Sequence, residues 1–119
     1  MPQIDWYYHR RGCQTCAKSE SFLAKAGIDV QELVDARKNR ISPDDAVELA
    51  RSAKNLVVAK GKRVVRIDLV RDAPTDEALK QLIVGPSGNL RAPTMRRGDT
   101  LFVGFNETEF GPLLASDRS

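Results

Sequence analysis

The sequence YYHRRGCQTC, residues 7–16, decides how the rest of the chain is interpreted, because it contains both cysteines of the protein in a C-x-x-C spacing. An apolar and aromatic run at residues 4–8 predicts a short strand that leads into this motif. Residues 17–26 have the periodicity of a helix that follows it. Cys13 is therefore expected just before a helix, and Cys16 is expected inside its first turn.

A cysteine at the start of a helix is suited to redox chemistry. The unpaired N–H groups and the positive end of the helix dipole favour a thiolate, and Arg10 and Arg11 add positive charge nearby. A C-x-x-C pair beside a β-α unit is typical of thiol–disulfide exchange. In that chemistry Cys13 would attack a disulfide or a glutathione adduct, and Cys16 would then resolve the mixed disulfide.

Other uses of two cysteines stay open at this point. Free cysteines are common in protein cores, so the pair could be two structural thiols. A structural zinc site normally needs four ligands, and only His9 is available to join the cysteines, so no metal is expected. Haem attachment would need a histidine directly after Cys16, where the sequence has Ala17.

Length and composition describe an ordinary globular protein. The 119 residues are expected to form a single domain, residues 1–119, with 41% hydrophobic residues to build a core. No run is long enough to span a membrane and no secretion signal opens the chain, so a cytoplasmic location is expected. The net charge of +3 and the low aromatic content do not indicate nucleic-acid binding. A basic face for an acidic protein partner or an oxyanion is left open.

The remaining elements follow from periodicity, capping residues and turn residues. They are a strand at residues 28–34 that completes a βαβ unit, a helix from Ser42 to about Ala53, a β-hairpin at residues 56–69, a helix capped by Thr75, two antiparallel strands around Gly98 and Asp99, a final helix from Asn106 that Pro112 shortens, kinks or restarts, and a frayed tail at residues 116–119.

Two separated parts of the sequence resemble the thioredoxin-fold arsenate reductase and Spx-like family, closest to a little-characterised C-x-x-C branch. Residues 7–26 resemble the strand, cysteine motif and helix of Spx-type regulators and glutaredoxins. Residues 88–94 (GNLRAPT) and 102–107 (FVGFNE) resemble the strand with a cis-proline and the entry into the last helix. The resemblance implies an α/β, thioredoxin-like fold: a mixed four-stranded sheet flanked by helices, here with an inserted helix and a β-hairpin in the middle.

The same resemblance implies a thiol–disulfide oxidoreductase. Pro93 would be the cis-proline, and the expected substrate-binding residues are Arg10, Arg11, Ala92, Pro93 and Thr94. The expected partner is a thiol or disulfide protein or a low-molecular-weight thiol. No cofactor is expected, although glutathione is a candidate reductant, and neither nucleic acid nor membrane is expected as a partner.

Two alternatives accompany this interpretation. Spx-type proteins contact RNA polymerase, and in such a binding protein the cysteine pair would act as a redox switch. Arsenate reduction ranks third, because Ala92 stands where the family has arginine before the cis-proline, and Arg91 would project to the other face of the strand. Arg91, Arg96 and Arg97 could form an anion-binding cluster or could be polar residues of the hairpin turn.

Overall fold

A computed structural model of the chain describes residues 3–115, which form eight strands and five helices. In chain order they are β1 (Gln3–Ile4), β2 (Trp6–His9), α1 (Gln14–Ala26), β3 (Asp29–Val30), β4 (Leu33–Asp35), α2 (Pro43–Arg51), β5 (Asn55–Lys60), β6 (Arg63–Asp68), α3 (Leu69–Asp72), α4 (Asp76–Ile83), β7 (Thr94–Arg97), β8 (Thr100–Val103) and α5 (Glu107–Ala115). The expected frayed tail at residues 116–119 lies outside the described part of the chain.

The main sheet is mixed and has the strand order β4-β2-β7-β8-β5-β6, while β1 and β3 form a separate parallel pair. Strand β2 runs parallel to β4 and antiparallel to β7, and β8 runs parallel to β5. Because β7 and β8 are antiparallel, the four strands β2, β4, β5 and β8 point in the same direction. Their carboxyl ends therefore meet at one edge of the sheet, which we call the carboxyl edge.

The expectation of a four-stranded sheet is wrong, because the middle hairpin extends the same sheet to six strands. The hairpin itself is confirmed: β5 and β6 pair antiparallel from Asn55 with Asp68 to Lys60 with Arg63. Residues 56–59 of β5 are all buried, which requires a strand covered on both faces. Leu56 and Val58 pack on one face of the sheet and Val57 and Ala59 pack on the other, while β8 and β6 pair with the two edges of the strand.

Helices cover both faces of the sheet. Side chains on one face pack under α2 and α4 in a core that includes Leu79 and Ile83, both fully buried. Side chains on the other face pack under α1 and α5 in a second core that includes Leu23 and Phe110. Neighbouring residues of one strand point to opposite faces, so that Tyr7 of β2 belongs to the second core.

The capping predictions are confirmed for three helices. The side chains of Ser42, Thr75 and Asn106 accept backbone N–H groups at the starts of α2, α4 and α5. Helix α5 continues through Pro112, which is exposed, while buried side chains on either side pack it onto the sheet. The strand expected at residues 28–34 is divided into β3 and β4. None of the helices in residues 3–115 is long and apolar enough to cross a membrane.

Candidate functional site

Cys13 lies at the carboxyl edge, directly after β2, and is the N-cap residue of α1. Its Sγ accepts a hydrogen bond from the N–H of Cys16 at 3.4 Å. Gly12 makes the turn in front of it with φ +78, a left-handed conformation that favours glycine. Cys13 is partly exposed, and both cysteines are free thiols. The turn therefore presents one thiol to solvent at the positive end of a helix.

Cys16 is fully buried one turn into the helix. Burial raises the pKa of its thiol to about 12; the backbone N–H of Arg10, which donates to the Cys16 Sγ at 3.4 Å, opposes this, and the neighbouring Cys13 raises the pKa further. Cys16 is consequently a protonated thiol at neutral pH. The two cysteines thus have unequal environments although they are only three residues apart.

A buried hydrogen-bond network fixes the first turn of α1 on the sheet. The Ser19 hydroxyl donates to the Cys16 carbonyl oxygen at 2.8 Å, so the Tyr7 hydroxyl on β2, 2.5 Å away, donates to the Ser19 hydroxyl. The Tyr7 hydroxyl also lies 3.3 Å from the same carbonyl oxygen. Sequence reasoning missed this network; the available signal was Ser19, a polar residue one turn after Cys16 on the apolar face of the helix.

The Ala92–Pro93 peptide is cis, and it lies beside the exposed thiol. The Cys13 Sγ is 3.9 Å from the Ala92 carbonyl oxygen. The Ala92 N–H has no acceptor among the described residues, whereas the Pro93 carbonyl accepts the N–H of Gly104 at 2.8 Å. Thr94 is buried and its hydroxyl donates to the Arg91 carbonyl at 2.5 Å. Of the three residues, Ala92 is therefore the one whose backbone N–H is available to pair with a bound chain.

The two arginines before the cysteines have different positions relative to the site. Arg10 is exposed, and it acts on Cys16 first through its backbone N–H and only secondarily through its charge. Arg11 is exposed and makes no hydrogen bond or ion pair within residues 3–115. The Nε2 of His9 lies 3.0 Å from the carboxylate of Glu20 on α1, and this contact gives His9 a structural role.

Of the two possibilities for Arg91, Arg96 and Arg97, the anion-binding cluster does not form, because Arg91 and Arg97 lie at opposite ends of β7. Arg96 donates to the Ser52 carbonyl after α2, and Arg97 donates to the Leu114 carbonyl at the end of α5. Both arginines thus satisfy free carbonyl groups at helix ends. Arg91 stays at the carboxyl edge, half-buried, where burial lowers its pKa.

Residues 3–115 contain no group of three or more histidine, cysteine, aspartate or glutamate side chains that could hold a metal ion. Comparison with protein-family models gives no match to the chain, and comparison with curated proteins gives no significant match. The candidate site is therefore defined by its geometry alone: an exposed N-cap thiol, a buried thiol, and a free backbone amide beside a cis-proline.

Proposed function

We propose that the chain is a thiol–disulfide oxidoreductase with a thioredoxin-like fold, in which Cys13 is the nucleophile and Cys16 is the resolving thiol. The observation that carries this proposal is the asymmetry of the pair. Cys13 is partly exposed and receives the Cys16 N–H, whereas Cys16 is fully buried with a pKa raised to about 12. Only one of the two thiols can meet a substrate, and the other is held behind it.

The strand order supports the thioredoxin-like interpretation. The run β4-β2-β7-β8 combines a parallel βαβ unit, in which α1 joins β2 to β4, with an antiparallel pair that leads into α5. Helices α1 and α5 share one face of the sheet. In this interpretation β5 and β6 are an extension beyond β8, and the inserted α2 and α4 cover the opposite face.

The first step is attack of the Cys13 thiolate on one sulfur of a substrate disulfide. A bond forms between the Cys13 Sγ and that sulfur, the substrate S–S bond breaks, and the second sulfur leaves as a thiolate that takes a proton from water. The N–H of Cys16 stabilises the attacking thiolate, because it points at the Cys13 Sγ from 3.4 Å.

The second step is attack of Cys16 on the Cys13 sulfur. Cys16 must first lose its proton, and in the mixed disulfide Cys13 no longer raises its pKa, while the Arg10 N–H remains to stabilise the new thiolate. The Cys13–Cys16 bond forms, the bond from Cys13 to the substrate sulfur breaks, and that sulfur leaves as a thiolate that takes up the proton released by Cys16. The substrate has gained two electrons and two protons. Two molecules of an external thiol such as glutathione restore the pair by the reverse exchange and leave as their own disulfide.

Ala92 is the residue best placed to align the substrate chain. Its carbonyl oxygen lies 3.9 Å from the Cys13 Sγ, and its N–H has no acceptor among the described residues. An extended substrate segment could pair with both groups as an added strand would. Thr94 has a structural part in the site, because its buried hydroxyl donates a hydrogen bond to the Arg91 carbonyl just before Ala92. Arg10 and Arg11 stay proposed substrate contacts by virtue of their exposure beside Cys13.

A redox-switched binding protein is the second candidate, and one observation favours it. The N–H groups of Arg10 and Cys16 donate to the two sulfurs, so the exposed turn at residues 10–13 contacts the cysteine pair directly. A partner bound at that turn would lie close enough to sense the oxidation state of the pair. A switch requires no turnover, so a steady-state assay separates the two candidates.

The test is reduction of a small neutral disulfide with glutathione as the reductant. Cys13→Ser should abolish turnover, and Cys16→Ser should accumulate a glutathione adduct on Cys13 that intact-mass spectrometry detects. Lys25→Ser, at the far end of α1, is the matched control and should behave as the native protein does. Formation of a disulfide without turnover would favour the switch. A pair that stays reduced in every glutathione buffer would remove both candidates.

A further inference from the structure

The loops at the carboxyl edge carry an unbalanced set of charges. They are residues 10–13 after β2, 36–42 after β4, the tip of the β5–β6 hairpin, 84–93 before β7 and 104–106 after β8. None of these loops contains an aspartate or glutamate. Together they contain nine of the 19 lysines and arginines of the protein: Arg10, Arg11, Arg37, Lys38, Arg40, Lys60, Lys62, Arg63 and Arg91.

The acidic residues nearest to these loops are few: five carboxylates, of which two pair with a cation outside the loops. Asp35, which ends β4, accepts the N–H of Arg37. In the first turns of the helices that begin at this edge, Asp44 pairs with Lys80 and Glu109 pairs with Arg66, which leaves Asp45 and Glu107. Eight of the nine basic side chains in the loops are exposed. The edge therefore presents a net positive surface to solvent.

This surface is continuous with the proposed redox site. The Cys13 Sγ approaches Ala92, and the next residue, Pro93, accepts the N–H of Gly104 at the end of β8. Gly104 in turn lies against β5, because a Cβ added to it would be 3.0 Å from the Ala59 carbonyl oxygen and 3.3 Å from an Arg91 guanidinium nitrogen. Arg91 thus lies between the site and the hairpin tip.

The hairpin tip is too far from Cys13 to act on its thiolate. Three strand spacings separate β7 from β6, which is roughly 14 Å at about 4.8 Å for each spacing. That distance exceeds the screening length of about 8 Å at physiological ionic strength. Lys60, Lys62 and Arg63 make no ion pair within the described residues. Their charges are therefore available to a molecule that spans the edge while its disulfide lies at Cys13.

We infer that the substrate is a protein whose disulfide is flanked by acidic side chains, which dock on the basic loops of the carboxyl edge and above all on the β5–β6 hairpin tip. This inference rests on the proposed function and names its substrate class. A protein fits better than a nucleic acid, because the only aromatic side chain in the carboxyl-edge loops is Phe105, which is half-buried against Phe22 and Phe110 and offers no stacking surface for bases. Positive potential of this kind acts mainly by accelerating encounter, and its effect declines with salt.

The test compares three peptides of equal length that each contain one disulfide, flanked by glutamate, glutamine or lysine. At low ionic strength, kcat/KM for the glutamate peptide should exceed that for the glutamine peptide by about tenfold, and the lysine peptide should be the slowest. The hairpin variant combines Lys60→Gln, Lys62→Gln and Arg63→Gln. It should lose most of the preference for glutamate and keep the rate with the glutamine peptide.

A second triple variant is the matched control. It lowers the net charge of +3 by the same amount, but its three substitutions lie outside the carboxyl-edge loops. It combines Lys25→Gln, Lys54→Gln and Arg71→Gln, and it should keep the preference. If both triple variants lose the preference for glutamate equally, the preference depends only on net charge and the inference is overturned. Equal rates for all three peptides with the native protein would also overturn it, while leaving the oxidoreductase intact.

A binding measurement separates failure of the inference from failure of the proposed function. If no peptide is turned over, the oxidoreductase proposal is wrong, and fluorescence anisotropy with the same glutamate peptide decides whether the basic edge binds acidic chains. Weaker binding by the hairpin variant than by the control variant would support docking. Tighter binding of a single-stranded oligonucleotide than of a glutamate peptide of the same charge would overturn the protein assignment.

Discussion

Tyr7→Phe should change the stability of the protein in opposite directions at neutral and alkaline pH. Tyr7 is 4% exposed, and its hydroxyl makes a hydrogen bond to Ser19 beneath the candidate site. Burial raises its pKa from 10.0 to about 12; the Ser19 hydrogen bond opposes this, and Cys16 adds to it. The substitution removes one hydrogen-bonding group and one titrating group while it preserves the ring.

At pH 7 the variant loses one buried hydrogen bond, worth about 1 kcal/mol net. The Cys16 carbonyl keeps its bond from Ser19, so no acceptor is left unpaired. Because the folded-state pKa of Tyr7 lies above the unfolded value, its stabilising contribution is complete below pH 10.0 and is lost as pH rises toward about 12. Two pKa units correspond to roughly 3 kcal/mol, which the native protein loses and the variant does not.

The free energies of unfolding should therefore cross between about pH 10 and 11, and near pH 11.5 the variant should be the more stable by roughly 1 kcal/mol. Cys16 contributes its own alkaline loss, since its pKa is raised from 9.0 to about 12, but this loss is common to both proteins. Urea unfolding followed by the fluorescence of the single tryptophan, Trp6, measures both curves in the presence of a thiol reductant.

Ser19→Ala is the matched control, because it removes the other hydroxyl of the same hydrogen bond without removing a titrating group. It should be less stable than the native protein at every pH, with no crossing, since the Ser19 bond lowers the pKa of Tyr7 and its loss raises that pKa further. A Tyr7→Phe protein that stays about 1 kcal/mol less stable at pH 11.5 would refute the reasoning.

Three further predictions concern packing and backbone, and urea unfolding at pH 7 measures each. Gly104→Ala should lower the free energy of unfolding by more than about 2 kcal/mol, because φ is +78 and the added Cβ meets a carbonyl oxygen of β5 at 3.0 Å. Gly61→Ala is also at positive φ but has open space around the added Cβ, and it should lower the free energy of unfolding by about 1 kcal/mol. Leu79→Ala should cost about 2–5 kcal/mol, whereas Val70→Ala, on an exposed side chain, should stay below about 0.5. Ser42→Ala should cost about 1 kcal/mol through its lost cap. Equal costs within either pair, or no cost at Ser42, would contradict these assignments.

Features that depend on neighbouring residues could be predicted from the sequence. The C-x-x-C motif before a helix, the Ser42 and Thr75 caps and the β5–β6 hairpin are each encoded within a few residues. The apolar run at residues 56–59 also indicates that the hairpin belongs to the main sheet, which the expectation of four strands did not include. Four consecutive apolar residues indicate a strand covered on both faces, and such a strand belongs inside a sheet.

Features that depend on which strands become neighbours could not be predicted in this way. The pairing of β5 with β8 joins residues more than forty positions apart, and no local pattern encodes that choice. The sequence also left open whether Arg91, Arg96 and Arg97 form a cluster, for the same reason. These arginines are close in sequence, but β7 carries Arg97 to the opposite end of the sheet, where it binds the end of α5.

The charge of the carboxyl edge is the reverse case, in which residues far apart in sequence become neighbours. In the sequence, basic residues are scattered among acidic ones, and the net charge of +3 suggests only a mildly basic protein. The parallel directions of β2, β4, β5 and β8 bring loops from five parts of the chain to one edge, and those loops contain nine basic residues and no acidic one. Cys13 lies on that edge because it too follows a strand of this set. A helix N-terminus alone would favour a thiolate for any substrate, whereas the additional basic loops would favour a substrate that is acidic and large enough to reach them.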